Sequence, residues 1–436
     1  MIHRPLILKL IYAFIAITIL LSSSLTAYAI EDYVWSISPD ALETASPDDS
    51  SDAASSNSST PESTSSENSN SNATTTQSNF LNLESGAAIL IDQNSGQVLY
   101  EHNSHEQLRP ASVTKIMSLL LIMEALDSNQ IKLDDKVPCS EKASSMGGSQ
   151  VWLTTSESFS VDEMLKCICV VSANDCTVAM AEYLCGSTDA FVEKMNTRAK
   201  ELGMNDTCFK NCHGIDEDGH VTSSYDIAIM SRELLQNHPT ITNYTTIWMD
   251  SIRDGKSQLV STNKLVRNYE GCTGLKTGST SLALYNLSAS ATRNDLNLIA
   301  VIMKAPTTAL RFSEAKKLLD YGFSSYESCK LSSSMDVVKT VTINQGVEST
   351  INAVCSDTKN ALIKKGQESR IVQEVNIPDN ISAPISQGEK IGEINYFLDG
   401  TQIGSVDIVS DKTIRKISFI NISSHLLKRW FSLLRF

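Results

Sequence analysis

Hydrophobic and polar positions change texture several times along this chain. Leu10 to Leu21 is a run of 12 residues, apolar except for Thr18; His3, Arg4 and Lys9 precede it and the small-x-small triplet Ala27-Tyr28-Ala29 follows. A bilayer span needs about 20 residues. The basic start, short apolar centre and small-residue site together predict a secretory signal over residues 1–29. Residues 38–79 are dominated by Ser, Thr, Asn, Asp, Glu and Pro, with no aromatic between Trp35 and Phe80. Such a stretch buries too little apolar surface to offset its ordering entropy, so residues 30–79 are expected to be a disordered linker.

Periodicity begins near Phe80. Two short apolar runs, Ala87 to Ile91 and Gln97 to Glu101, flank Asp92-Gln93-Asn94-Ser95-Gly96, which predicts a hairpin. Val113 to Leu126 is apolar on nearly every side apart from Thr114, Lys115, Ser118 and Glu124, the mark of a buried helix. Helical patterns continue over Val161–Val171, Asn174–Leu184, Asp189–Leu202 and Asp226–His238. Strand-like runs return at Leu275–Thr277, Leu282–Ala289 and Leu296–Met303, and Arg311–Tyr321 is helical again. Strands, then helices, then strands and a helix predict an α+β fold: an antiparallel sheet with an inserted helical lobe over residues 80–330. From about Leu331 the chain turns to short β-rich pieces, including Asp336–Val341, Ser369–Val375, Lys390–Phe397 and Gln402–Val409, with Asp399-Gly400 between the last two. They predict a small all-β domain over 331–410.

The last residues, 411–436, are expected to form a basic amphipathic tail. At about 100° per residue, Leu426, Leu427, Trp430, Phe431, Leu433 and Leu434 share one broad face, opposite Lys428, Arg429, Ser432 and Arg435. That pattern suits a helix lying in a membrane interface, and the piece is too short to span.

Composition narrows the function. The net charge is −14 and no Lys or Arg occurs from Ile30 to Leu108, which argues against a nucleic-acid partner. No internal run of eighteen uncharged apolar residues exists, which rules out a multi-pass membrane protein. Of the ten cysteines, Cys167, Cys169, Cys176 and Cys185 fall within helical patterns and read as small core hydrophobes. Cys208-x3-Cys212-His213 lacks a second pair for zinc, and neither a metal nor a cofactor is expected.

The candidate chemistry begins at Ser112-Val113-Thr114-Lys115, an S-x-x-K motif where the buried helix starts. Residues three apart share a helical face, so Lys115 can reach the Ser112 hydroxyl. The helix start also offers N–H groups to an anion, which completes the parts of an activated serine. The same pattern recurs at Ser261–Lys264, Ser313–Lys316 and Ser356–Lys359, none in such a setting. Ser172-Ala173-Asn174 joins two helical stretches. Lys276-Thr277-Gly278, the one K-T-G in the chain, lies on a strand-like run between Gly274 and Ser279. A cation, a hydroxyl and free backbone at a strand can hold an extended peptide.

S-x-x-K, S-x-N and K-T-G in this order resemble the motif set of penicillin-binding proteins and serine β-lactamases. The closer similarity is to exported D-alanyl-D-alanine carboxypeptidases of low molecular mass. Supporting stretches are Arg109–Lys115, Met146–Ser149, Val171–Asp175, Phe209–Gly214, Gly274–Gly278, and Arg311 with the run to Phe323. The resemblance implies that Ser112 attacks the carbonyl between two D-alanines, Lys115 takes its proton, and Ser172 relays protons to the leaving amine. It further implies that Asn174 holds the substrate amide, that Lys276 and Thr277 of the K-T-G ending at Gly278 face the terminal carboxylate, and that Arg311 supports them. The N–H groups of Ser112 and Ser279 would form the oxyanion hole. The implied partners are a peptidoglycan stem peptide ending in D-Ala-D-Ala, β-lactam antibiotics and, through the tail, the outer face of the cytoplasmic membrane. Cys212, where the family often has proline, and Ser279, where some members have histidine, depart from the pattern. A β-lactamase and a penicillin sensor without turnover remain as alternatives; the first needs a deacylating carboxylate, for which Glu217 and Asp218 are the candidates.

Overall fold

The computed structural model describes residues 79–418, 423 and 426–431. The expected signal, the linker up to residue 78 and the remaining tail residues lie outside the described residues.

A five-stranded antiparallel sheet organises the first part of the chain. Its strands are β1 (Ala87–Asp92), β2 (Val98–His102), β3 (Cys272–Thr280), β4 (Leu284–Arg293) and β5 (Leu296–Ala305), in the order β2-β1-β5-β4-β3. Successive side chains of a strand point to opposite faces. Thus Ile89 and Ile91 join Ile299, Val301 and Met303 in one core, while Ala88 and Leu90 join Leu298, Ala300 and Ile302 in another. Both faces of β1 and β5 are covered, which is why their sequences are apolar at nearly every position.

The first core belongs to the helical lobe inserted between β2 and β3. It contains α1 (Lys115–Asp127), α2 (Val161–Val170), α3 (Asn174–Cys185), α4 (Thr188–Glu201) and α5 (Ser224–Asn237). Ten of the thirteen α1 residues are buried, which makes it the central helix of the lobe. Helices α2, α4 and α5 announce their starts with polar caps, Ser160, Ser187 and Ser223. At α2, the Ser160 hydroxyl accepts from the Glu163 N–H while Glu163 accepts from the Ser160 N–H. Such a reciprocal box stabilises a helix start by about 0.5–2 kcal/mol. The opposite face of the sheet is covered by α6 (Thr308–Ser325), through Phe312, Ala315, Leu318 and Leu319.

The chain passes from α6 directly into a β-rich region. Its strands are β6 (Tyr326–Ser332), β7 (Val337–Asn344), β8 (Thr350–Cys355), β9 (Lys359–Lys364), β10 (Ile371–Asn376), β11 (Ile381–Ser382), β12 (Lys390–Leu398) and β13 (Thr401–Ser410). Six of them form a sheet ordered β10-β12-β13-β8-β7-β11, and β6 pairs with β9. Asp399 and Gly400 turn β12 into β13 with φ of 52° and 82°, the two left-handed residues of a tight hairpin. A core of its own, including Val341, Ile351, Tyr396 and Ile408, fills this region. The chain remains hydrogen-bonded to it through Ile417. Residues 426–431 are helical, with Leu426, Leu427, Trp430 and Phe431 exposed. Among the described residues no helix is long and apolar enough to cross a membrane.

Candidate active site

Ser112 lies on a 3-10 turn, Ala111–Thr114, that runs straight into α1. The sequence pattern placed it at an α-helical start; the tighter turn matters because side chains three apart eclipse in a 3-10 helix. Lys115 is therefore stacked over Ser112, with Nζ 3.0 Å from Oγ. The ammonium is fully buried, while Ser112 is partly open to solvent.

Lys115 Nζ also donates to Asn174 Oδ1 and to the His213 carbonyl, each at 2.6 Å. Those two oxygens can only accept, whereas a serine hydroxyl can accept or donate. When Lys115 loses a proton, its two remaining N–H bonds keep the two carbonyls and its lone pair faces Ser112. Burial pushes the Lys115 ammonium well below its ordinary range, and the Lys276 cation pushes it further the same way. Both effects favour the neutral amine that a base requires.

Asn174 is held in turn by the loop before α2: its Nδ2 donates to Gly147 O at 2.7 Å and its N–H to Ser149 O at 2.7 Å. Asp175, fully buried beside it, accepts from the N–H groups of Val151 and Leu153, each at 3.0 Å. Ser172 takes a left-handed φ of 65° between α2 and α3, and its buried Oγ has no hydrogen-bond partner. It is not hydrogen-bonded to Lys115; the lysine bonds Asn174 instead.

K-T-G lies on β3, against the Ser112 turn. A Cβ at Gly278 would stand 2.9 Å from Pro110 O, Ser112 N and Val113 N. Only glycine lets the strand backbone approach the Ser112 turn this closely. Lys276 is almost fully buried and burial lowers it to about 7, with the Arg311 cation adding to the effect. Its Nζ donates to Thr277 O at 3.1 Å. The Thr277 hydroxyl is 2.7 Å from that of Thr262. Arg311 donates through Nη1 to Gly278 O at 3.1 Å, and its Nε is buried without a partner. Ser279 is exposed at the end of the motif.

The structure thus brings Ser112, Lys115 and Asn174 into one hydrogen-bonded cluster, with Lys276, Thr277 and Gly278 on the adjoining strand and Arg311 reaching Gly278 from α6. Three contributors were given no part in the chemistry by the sequence. The His213 carbonyl is held in place by Cys212, whose own carbonyl accepts from Ser118 Oγ at 2.6 Å. Thr262 touches Thr277. Asn286 on β4 donates to the carbonyls of Arg109 and Pro110 at 2.9 and 3.0 Å and accepts from Lys304 N at 2.8 Å, tying the chain before Ser112 to the sheet. Their signal was partial: the stretch Phe209–Gly214 stood out as a motif, Thr262 and Asn286 did not. Glu217 and Asp218 are exposed and bond Asn211 and Arg109. Among the described residues no carboxylate hydrogen-bonds Ser112, Lys115, Ser172 or Asn174.

The chain is similar to known proteins along most of its described length. Residues 72–307 match the family described as D-alanyl-D-alanine carboxypeptidase, and residues 326–416 match the C-terminal domain of penicillin-binding protein 5. The D-alanyl-D-alanine carboxypeptidase DacF of Bacillus subtilis is 43% identical over 351 residues, covering 80% of this chain and 90% of that protein. Penicillin-binding protein 5 of Haemophilus influenzae superposes with a TM-score of 0.64 at 30% identity, over 77% of this chain and 98% of that one. Penicillin-binding protein D2 of Listeria monocytogenes, solved in its ampicillin-bound form, gives 0.52 at 31% identity over 56% and 99%. With its α+β architecture, a family match over more than half of its length and 43% identity to DacF, the chain belongs to the D-alanyl-D-alanine carboxypeptidases: it is a low-molecular-mass penicillin-binding protein and a serine-type peptidase.

Proposed function

We propose that this protein removes the terminal D-alanine from peptidoglycan stem peptides through an acyl-enzyme on Ser112, and that β-lactams acylate the same hydroxyl. Ser112 Oγ attacks the carbonyl between the two D-alanines as Lys115 takes its proton. The C–N bond then breaks, Ser172 passes a proton to the leaving amine, and water later cleaves the ester. Asn174 orients both Lys115 and the substrate amide. Lys276 and Thr277 receive the terminal carboxylate, supported by Arg311 beneath Gly278. The N–H groups of Ser112 and Ser279 receive the oxyanion. The observation that carries this reading is the arrangement around Lys115 Nζ: two obligate acceptors at 2.6 Å leave its lone pair, once neutral, only the Ser112 hydroxyl at 3.0 Å.

The rest of the chain serves this chemistry outside the cytoplasm. Residues 1–29 direct export and 30–79 act as a spacer ahead of the catalytic domain. The tail attaches the protein to the outer face of the membrane, a reading supported by the exposed Leu426, Leu427, Trp430 and Phe431 beside Lys428. The test is D-alanine release from diacetyl-Lys-D-Ala-D-Ala by the exported protein, compared with release of bound penicillin. Rapid D-alanine release with slow penicillin release supports the reading. Rapid penicillin release without D-alanine release would make it a β-lactamase, and acylation with neither would make it a sensor.

A further inference from the structure

His220 lies outside the motifs, yet it is 98% buried at one end of a directed chain of hydrogen bonds that finishes at the nucleophile. The Lys210 N–H donates to His220 Nδ1 at 2.8 Å. That nitrogen therefore carries the lone pair, and the neutral ring carries its proton on Nε2. Nε2 is 2.8 Å from Thr114 Oγ1, which accepts it. The Thr114 hydroxyl is then free to donate only onward, and Ala111 O lies 2.8 Å away. Each group has one role left by its neighbour, so the direction of the chain is fixed. Burial lowers the ring to about 4, against the pull of Glu217 and Asp216 and with a contribution from Arg109 and Lys210, so the ring is neutral at ordinary pH.

The end of the chain is the point of interest. Ala111 C=O belongs to the same planar peptide as Ser112 N–H, and in a trans peptide the two bonds point in opposite directions. Fixing the carbonyl therefore fixes the aim of the N–H. A carbonyl that accepts a hydrogen bond also polarises its peptide and strengthens the N–H as a donor. Ala111 also has a left-handed φ of 49°, which an alanine adopts at a cost. The same peptide is crowded by Gly214, where a Cβ would lie 1.9 Å from Ala111 O and 2.9 Å from Ser112 N. The Thr114 hydrogen bond and the close Gly214 backbone both constrain this peptide.

We infer that His220, acting through Thr114 and the Ala111 carbonyl, is a positioning residue that aims and polarises the Ser112 N–H for the oxyanion of acylation. The inference rests on Ser112 being the nucleophile. It adds that catalysis depends on a buried imidazole that never touches substrate.

The experiment measures the penicillin acylation rate, kcat and KM on diacetyl-Lys-D-Ala-D-Ala, thermal stability and the mapped adduct for the full-length protein and four variants. Thr114→Val keeps the shape and deletes the hydroxyl; Thr114→Ser keeps the hydroxyl. His220→Gln keeps a donor near the position of Nε2, and His220→Asn keeps only an acceptor near Nδ1. Losing one aimed oxyanion donor costs about 10²–10³ in rate when the donor is removed outright, so a misaimed donor should cost about tenfold or more. Thr114→Val and His220→Asn should lose that much in acylation rate and kcat, with KM nearly unchanged and the adduct still on Ser112. Thr114→Ser and His220→Gln should recover most of the rate. Combining Thr114→Val with His220→Asn should cost no more than either alone. Wild-type acylation by Thr114→Val would overturn the inference. If Thr114→Val does not fold, equal rates for His220→Gln and His220→Asn would overturn it. An adduct on another serine in the wild type would overturn the nucleophile assignment itself, a failure distinguishable from that of the relay.

Discussion

Lys115 Nζ stands 3.0 Å from Ser112 Oγ and 2.6 Å from each of two carbonyl oxygens that cannot give it a proton. The serine is therefore the one partner with which the amine can exchange a proton. Lys115→Arg tests this, because a guanidinium keeps its charge at any accessible pH. Loss of a positioned general base costs about 10²–10⁴ in rate. Penicillin acylation of the Arg variant should fall by that range, and a variant within about threefold of wild type would contradict the role.

The pH dependence follows from two buried lysines. Lys115 sits well below its ordinary range, so kcat/KM should rise with pH as the free enzyme loses that proton. Lys276 ionises near 7, and its cation is needed to meet a carboxylate, so kcat/KM should fall as pH climbs beyond that value. In Lys276→Arg the cation persists, and the alkaline limb should vanish even where the overall rate is lower. An unchanged alkaline limb in that variant would assign it to another group.

Gly278→Ala places a methyl 2.9 Å from the Ser112 and Val113 nitrogens. The turn or the strand must shift, and a displacement of about 1 Å in a catalytic group can cost 10²-fold. The acylation rate should fall by about tenfold to a hundredfold, with a much smaller change in melting temperature. Wild-type acylation would show that the turn yields without consequence.

Thr277→Val separates the two substrates. A hydrogen bond to a charged group contributes about 1.5–3 kcal/mol. Carboxypeptidase efficiency should drop more than acylation by the strained penicillin ring, as measured by D-alanine release and a fluorescent penicillin. Equal losses would leave Thr277 as a structural partner of Thr262.

What the sequence disclosed was whatever lies in contiguous residues. The all-round apolar character of α1, the continuous apolar runs of β1 and β5, and the Asp399-Gly400 turn were readable because each reflects burial or backbone conformation within a few positions. The three motifs were readable for the same reason. The joins between them were not. Asn174 meets Lys115 across 59 positions, and His213 meets it across 98. Asn286 reads as a polar interruption in a strand until its amide is seen to hold Arg109 and Pro110. The 3-10 turn at Ser112 left no signal, because Pro110 suits an α-helical start equally well. Strand β9 did not stand out, since Lys359–Lys364 exposes three residues and buries only two.

Deleting residues 426–436 tests the tail. The truncated protein should keep its tripeptide turnover but no longer sediment with anionic vesicles. If it still pellets, attachment lies elsewhere in the chain.

The most direct test of the whole account is the site of covalent attachment by penicillin. Four serines of this chain stand in S-x-x-K patterns, Ser112, Ser261, Ser313 and Ser356, so the protein carries its own controls. Intact-mass and peptide mapping of the penicillin-treated enzyme should show a single adduct on Ser112, absent in Ser112→Ala and retained in Ser313→Ala. An adduct on Ser261, Ser313 or Ser356, or one that survives Ser112→Ala, would contradict the account.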